Sequence, residues 1–153
     1  MLELWRISNH NSLSGVGGLR YGARWHTSGS RIVYLAETPA GALIEIFVHL
    51  ELKESELPRF YSLMKVAAPD SVSIETLEIP ATDDWKRLPL VTQGLGDKWL
   101  RSKRTALARV PSAIMPNTWN YLLNPEHPHA AVIKIVETMR AEFDPRLLQK
   151  IRG

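Results

Sequence analysis

"RIVYLAETPAGALIEIFVHL", residues 31–50, decides the fold, because a strand pattern runs directly into a helix pattern. Residues 31–37 are rich in β-branched and aromatic side chains, which favours a strand. Thr38 followed by Pro39 is typical of a helix start, with threonine as the N-cap and proline at the first helical position. The helix is predicted to end at about Leu50. The chain is therefore expected to combine strands and helices around one core.

The bulk composition predicts one domain over residues 1–153. The chain is 44% hydrophobic and 23% charged, which is enough apolar material for a buried core. No window approaches the roughly 18 consecutive apolar residues of a membrane span, and the opening "MLELWRISNH" lacks the layout of a signal peptide. We therefore expect a cytoplasmic protein without membrane contact. The absence of cysteine removes disulfides, zinc–thiolate sites and cysteine nucleophiles.

The remaining elements follow from the pattern of apolar residues. Strands are predicted at residues 2–8, 59–68, 71–79, 105–116 and 130–138, and helices at residues 89–103 and 144–151. The turn "APDS" suggests that the strands on either side of it form an antiparallel pair. Residues 9–30 and 117–130 are predicted to be loops. Because strands and helices do not alternate regularly, the predicted class is α+β, with a mixed or antiparallel β core and flanking helices.

Common nucleotide and metal motifs are absent from the sequence. "GVGGLR" fits neither the dinucleotide fingerprint nor the phosphate-binding loop. "HPH" at residues 127–129 has no obvious third ligand, so we predict a turn and no metal site. The basic run Arg101–Arg104 is short and favours a solvated helix end. A basic nucleic-acid-binding module stays open as an alternative from another functional class.

Four polar side chains are candidates for chemistry. Glu45 lies in the middle of an apolar helix, so it either pairs with an arginine or faces a cleft. Arg24, in a glycine-rich loop, either stacks on Trp25 or holds a phosphate. Tyr34 is by default a core aromatic residue. Ser112 follows one proline and precedes another, which fixes its backbone, and no G-x-S-x-G elbow surrounds it.

Three stretches of the chain match the pattern of one known family: "LWRIS", "GLRYGARWHTSGSRIVYLAETPAGALIEIFVHL" and "VPSAIMPNTWNYLLNPEHP". They resemble the RES domain family, named after its arginine, glutamate and serine, and the resemblance extends over almost the whole chain. The resemblance implies a catalytic set of Arg24, Glu45 and Ser112 and a substrate-binding set of Arg6, Arg24, Tyr34 and Asn120. Ala23 and His26 depart from the family pattern, because glycine and asparagine are common at these positions.

The resemblance implies the toxin of a bacterial type II toxin–antitoxin system, with a fold similar to ADP-ribosyltransferases. The implied activity is cleavage of the nicotinamide–ribose bond of NAD+ by water or inorganic phosphate, and transfer of ADP-ribose to a protein is the alternative. NAD+ is then the substrate, phosphate a co-substrate, and no cofactor or metal is required. The implied partner is an Xre-like helix-turn-helix antitoxin that covers the active site and provides the only link to DNA. A homodimer is the default self-association.

The implied chemistry suits the residue types at these positions. Nicotinamide departs as a neutral molecule, so the site must stabilise an oxocarbenium-like ribose and hold the dinucleotide bent. The resemblance gives the first task to Glu45, as an ionised carboxylate. Arg24 and Arg6 would hold the diphosphate, and Tyr34 would stack on the nicotinamide. Ser112 would orient the ribose or the carboxamide by hydrogen bonding.

Overall fold

The centre of the protein is a seven-stranded sheet. The computed structural model describes residues 1–49, 59–81 and 83–147. The strands are β1 (Leu2–Ser8), β2 (Val33–Ala36), β3 (Phe60–Ala68), β4 (Ile74–Thr76), β5 (Leu107–Pro111), β6 (Trp119–Leu123) and β7 (Lys134–Glu142). The helices are α1 (Gly17–Arg20), α2 (Pro39–His49) and α3 (Pro89–Ser102), with 3-10 turns at Asp83–Arg87 and Pro128–Val132. The strand order is β4-β5-β6-β2-β1-β3-β7.

Most neighbouring strands in the sheet are antiparallel. β3 pairs along its length with both β1 and β7. β6 pairs antiparallel with β2 on one side and with β5 on the other. β4 and β5 form the one parallel pair among the described strands. This arrangement confirms the predicted α+β domain with a mixed, largely antiparallel β core and flanking helices.

β1 and β2, in the interior of the sheet, are joined much more loosely than their neighbours. Their register contains a single position, Trp5 opposite Ala36, whereas β1 and β3 are in register over seven positions, from Leu2 opposite Ala68 to Ser8 opposite Ser62. Two strands that pair at one point separate on either side of it. The sheet therefore opens between β1 and β2, and side chains of both strands line the gap.

α2 begins where the sequence predicts. The Thr38 hydroxyl accepts a hydrogen bond from the backbone N–H of Gly41 at 2.9 Å, and Pro39 occupies the first helical position. Such a cap satisfies a helical N–H that has no partner within the helix, which is worth about 1 kcal/mol. Ala42, Leu43 and Ile46 pack this helix against the sheet. α2 is thereby fixed over the gap between β1 and β2.

α3 covers the sheet next to the loop that precedes β2. Trp99 is 1% exposed and packs with Trp25, Val110 and Leu122, and burying a side chain of this size contributes about 2 kcal/mol or more. The helix ends at Ser102, as predicted to within one residue, because Lys103 adopts a left-handed conformation with φ of 52°. The basic run that follows Leu100 is exposed, which confirms a solvated helix end.

Two predictions for the sheet are wrong. The predicted strand over residues 71–79 is limited to β4, which pairs in parallel with β5 and not antiparallel with β3. α3 supplies the crossover between β4 and β5 that a parallel pair requires. The predicted loop over residues 117–130 contains β6, an interior strand. Its flanking Asn and Pro residues suggest a loop, although "WNYLL" itself suits a strand.

Several predicted boundaries also shift. β5 is shorter than the predicted strand at residues 105–116, and the predicted strand at residues 130–138 is divided between a 3-10 turn and β7. α1 lies inside the predicted loop at residues 9–30. Leu50 and residues 148–151, at the ends of two predicted helices, lie outside the described residues. No helix in the described ranges is long and apolar enough to cross a membrane.

Candidate active site

A cavity of about 240 Å³ opens between α2, the separated part of β1 and β2, and the loop that precedes β2. Its apolar walls include Trp5, Trp25, Ile46 and Ile114. Its polar lining includes five of the six predicted site residues: Arg6, Arg24, Tyr34, Glu45 and Asn120. Residues from separate strands, a helix and a loop therefore meet at one concave site, the kind of place where small ligands bind.

Glu45 projects from the middle of α2 into this cavity. Its Oε1 accepts a hydrogen bond from the Ser112 hydroxyl at 2.9 Å and another from Asn120 Nδ2 at 2.8 Å. Among the described residues, no arginine or lysine nitrogen lies within 4.0 Å of the carboxylate. Of the two interpretations of this glutamate, the structure therefore shows the one that faces a cleft.

Ser112 lies behind Glu45 and is 3% exposed. Its hydroxyl oxygen accepts hydrogen bonds from the backbone N–H groups of Ile114 and Met115, at 3.1 and 3.2 Å. These two donors leave the hydroxyl hydrogen to be donated to Glu45. Ser112 is not among the residues that line the cavity. Its direction is fixed, as its proline neighbours suggest, but it points at the carboxylate.

Asn120 is the second donor to Glu45 and comes from β6. Its Nδ2 contacts the carboxylate, which fixes the orientation of the side-chain amide because a carboxylate can only accept. The Oδ1 atom on the other side of the amide is buried and has no hydrogen-bond partner in the described structure. A buried hydrogen-bond acceptor without a partner costs free energy, so a ligand that donates a hydrogen bond to Oδ1 would bind more favourably.

Two arginines place positive charge on the same cavity. Arg6 is largely buried, and burial lowers its pKa below the usual value. Its Nε has no partner, Nη2 lies 3.4 Å from the Ser8 hydroxyl, and no carboxylate oxygen of the described residues lies within 4.0 Å of the guanidinium. Arg24 donates from Nη1 to the carbonyl oxygen of Lys86 at 2.7 Å. A guanidinium buried without a counter-ion favours binding of an anion.

Tyr34 lines the cavity, and its hydroxyl is engaged by two partners within the protein. The hydroxyl accepts from the backbone N–H of Trp25 at 3.2 Å and lies 2.7 Å from Nδ1 of His26. Burial is the main cause that raises the pKa of Tyr34 above the ordinary value, so the phenol stays neutral. This leaves the aromatic ring as the part that a ligand can contact.

The contacts that hold the Arg24 loop leave no local signal in the sequence. α3 supplies two of them: the Thr92 hydroxyl donates to the carbonyl oxygen of Arg24 at 2.6 Å, and Gln93 donates to that of Ala23 at 3.0 Å. The partners lie about 70 residues apart along the chain, so no local pattern connects them. The glycine at position 96, inside a predicted helix, is the one sequence signal that points to a close approach.

Comparison with known proteins decides the family. A sequence model of the RES domain matches residues 3–144. The chain belongs to the RES domain family. The resemblance assigns the three naming residues to Arg24, Glu45 and Ser112, and the structure places the Ser112 hydroxyl against Glu45 and Arg24 on the wall of the same cavity.

Relatives of this RES domain include named toxins. "Toxin Res" of Pseudomonas putida is 45% identical over 133 residues, which cover 86% of this chain and 90% of the relative. The "Prs ADP-ribosylating toxin" of Sphingobium sp. is 36% identical over 159 residues, covering 97% of this chain and 98% of the relative. A chain of the M. tuberculosis MbcT-MbcA toxin-antitoxin complex shares the fold, with a TM-score of 0.72 and 18% identity over 98% of this chain and 88% of that one.

The histidines of "HPH" have a local role in this RES domain. His127 caps the 3-10 turn at Pro128–Val132 by accepting from the backbone N–H of His129 at 2.9 Å, which confirms the predicted turn. In the ranges that the structure describes, no group of three histidine, aspartate or glutamate side chains could hold a metal ion.

Proposed function

We propose that this RES-family toxin cleaves the nicotinamide–ribose bond of NAD+ and passes ADP-ribose to water or inorganic phosphate. The observation that carries the proposal is a pair of uncompensated charges on one cavity. Neither the Glu45 carboxylate nor the partly buried Arg6 guanidinium has an ion-pair partner among the described residues. A ligand with a cationic ring at one end and a diphosphate in the middle would satisfy both charges.

Glu45 would act on the ribose as its bond to nicotinamide breaks. The pyridinium leaves as a neutral base, and its positive charge passes to the ribose in the transition state. Oε1 is engaged by Ser112 and Asn120, whereas Oε2 makes no hydrogen bond within the described structure. Oε2 is therefore available to accept from a ribose hydroxyl and to stabilise the developing cation.

The other residues would bind and orient the dinucleotide. Arg6 and Arg24 would contact the diphosphate, and the Tyr34 ring would stack on the nicotinamide. Asn120 would accept a ligand hydrogen bond at Oδ1 while it holds Glu45 through Nδ2. These roles need no metal or cofactor, which agrees with NAD+ as the substrate and phosphate as the co-substrate.

Product analysis from NAD+ tests this function. Purified protein incubated with NAD+ is expected to release nicotinamide, and phosphate should raise the rate if phosphate is the acceptor. A product that is unmodified ADP-ribose identifies water as the acceptor. A product in which ADP-ribose carries one additional phosphate group identifies inorganic phosphate as the acceptor. Folded protein that releases no nicotinamide under either condition contradicts the proposal.

A second candidate function is transfer of ADP-ribose to a protein. The Sphingobium relative, named an ADP-ribosylating toxin, matches this chain over nearly its full length, and the same cavity would serve both reactions. NAD+ labelled in the ADP-ribose part separates the two in a cell extract. Label on a protein indicates transfer, and label in small molecules indicates hydrolysis or phosphorolysis.

Ser112→Ala is expected to lower kcat by about tenfold with little change in KM. The alanine removes one of two hydrogen bonds that orient Glu45, while the Asn120 bond stays. Ser102→Ala is a matched control, because Ser102 also donates to an oxygen and accepts from a backbone N–H, but at the far end of α3. A rise in KM with unchanged kcat would instead give Ser112 a direct contact with bound substrate.

An antitoxin that covers the cavity is the proposed partner, of the Xre-like helix-turn-helix type. The fold neighbour comes from a toxin–antitoxin complex, and an entrance that must admit NAD+ is the surface where a protein can block activity. Stoichiometric antitoxin is expected to stop nicotinamide release. A complex whose cavity stays open to solvent would contradict occlusion. A homodimer is proposed as the default state of the free toxin, and light scattering measures it.

A further inference from the structure

His26 connects α1 to Tyr34 on the cavity wall, although it is 1% exposed and does not line the cavity itself. Nε2 lies 3.3 Å from the carbonyl oxygen of Gly18, and Nδ1 lies 2.7 Å from the Tyr34 hydroxyl. Because a carbonyl can only accept, Nε2 must carry a proton, and in a neutral ring Nδ1 is then an acceptor. Tyr34 therefore donates its hydroxyl hydrogen to His26.

The neutral form of His26 is the one in which Tyr34 is the hydrogen-bond donor. Burial lowers the pKa of His26 from its ordinary value, although the Gly18 carbonyl, the charge of Asp97 and the Tyr21 carbonyl act in the opposite direction. A doubly protonated ring could not accept from Tyr34. In a doubly protonated ring Nδ1 would instead donate to the Tyr34 oxygen, so the direction of this hydrogen bond depends on the charge of the imidazole.

The backbone is anchored on both sides of Arg24, and the His26 imidazole reaches one of the two anchors through Tyr34. The backbone carbonyl oxygen of His26 accepts from the N–H of Ala23 at 3.0 Å, a bond that does not involve the imidazole, and the Tyr34 hydroxyl oxygen accepts from the N–H of Trp25 at 3.2 Å. Arg24 lies between these two anchored residues. α3 holds the opposite side of the loop, so loss of the His26 side chain would release Tyr34 without unfolding the loop.

We propose that His26 is a positioning residue that holds the Tyr34 ring and the Arg24 loop in their substrate-binding arrangement. The inference rests on the proposed function and concerns binding rather than the chemical step. Glu45 is held by Ser112 and Asn120 from other elements, so its orientation does not depend on His26. A change at His26 should therefore weaken NAD+ binding and leave the rate of bond cleavage nearly unaffected.

Kinetics of His26→Phe, Tyr34→Phe and the double variant test the proposal. His26→Phe removes both ring nitrogens and keeps an aromatic side chain, and we expect KM for NAD+ to rise about tenfold while kcat stays within about threefold. Tyr34→Phe removes only the hydroxyl and should raise KM for NAD+ by a smaller factor than His26→Phe does. Because both residues act through one hydrogen bond, the double variant should be no worse than His26→Phe. Additive effects, or a selective loss of kcat, overturn the proposal.

A matched core variant separates positioning from general loss of stability. Val66→Ala removes buried methyl groups from a core cluster that includes neither His26 nor Tyr34. If Val66→Ala lowers the melting temperature as much as His26→Phe but leaves KM unchanged, the effect of His26 is specific. An equal rise in KM for both variants overturns the proposal.

Imidazole nitrogen NMR gives a readout that does not depend on activity. The nitrogen chemical shifts of His26 are expected to be those of a neutral ring protonated at Nε2. The chemical shift of Nδ1 should change in Tyr34→Phe. A ring protonated at Nδ1, or at both nitrogens near neutral pH, overturns the proposal. Wild-type protein that releases no nicotinamide contradicts the proposed function, whereas the NMR result still decides whether His26 holds Tyr34.

Discussion

Glu45→Gln is expected to lower the rate of nicotinamide release from NAD+ by about 10³-fold while the protein stays folded. Glutamine has nearly the same shape, and its Oε1 can still accept from Ser112 and Asn120 as the carboxylate does. What is lost is the negative charge that would stabilise the ribose cation. In a partly enclosed site such a charge interacts more strongly than it would in water.

Glu37→Gln provides the matched control for this change. Glu37 follows β2, accepts from the backbone N–H of Trp119 at 3.1 Å through its own Oε1, and does not line the cavity. Its amide variant should keep wild-type activity. Nicotinamide release measures the effect, and circular dichroism with thermal melting measures the fold. Wild-type activity in Glu45→Gln, or a variant that unfolds, contradicts a charge-based role in a folded site.

Gly96→Ala is expected to destabilise the protein by about 3 kcal/mol and to impair NAD+ binding in the molecules that stay folded. A Cβ at this position would lie 1.6 Å from the carbonyl oxygen of Trp25. Neither partner can move alone, because the contact joins the backbone of α3 to the backbone of the loop. The added methyl group would therefore separate the helix from the loop that carries Arg24.

Gly94→Ala, two residues earlier in α3, is the control. Within the described residues, no atom outside the local helix backbone lies within 4 Å of a Cβ built at Gly94, so alanine there should stabilise the helix by up to about 1 kcal/mol. Urea unfolding measures both variants. Equal stability of Gly96→Ala and Gly94→Ala would show that α3 does not approach the loop this closely.

Sequence reasoning succeeds where an element carries its own signals. β1 has the predicted bounds, and α2 starts at the predicted cap because Thr38 and Pro39 fix that end locally. β6 is not predicted because four of its five residues are buried. Its sequence therefore lacks the alternation of apolar and polar residues that is typical of a half-exposed strand. β4 was assigned the wrong neighbour because its pairing depends on the α3 crossover and not on the adjacent turn.

The candidate site also has parts that the sequence indicates and parts that it does not. Family resemblance points to Glu45, Arg24 and Ser112, but the hydrogen bond between Ser112 and Glu45 spans 67 residues and only the folded sheet creates it. The role of His26 was equally out of reach, because a histidine in a loop shows neither its tautomer nor its partner. Contacts between distant elements are what a single sequence leaves undetermined.

The single paired position between β1 and β2 sets a limit on how stable this fold can become. Further ladder bonds between these two strands would strengthen the sheet, but they would close the gap that Trp5 and Tyr34 help to line. Additional pairing along this stretch of backbone is therefore expected to raise stability and to lower activity. Thermostable variants of this protein should gain their stability elsewhere, such as at Gly94, and variants that complete the ladder should be robust and inactive.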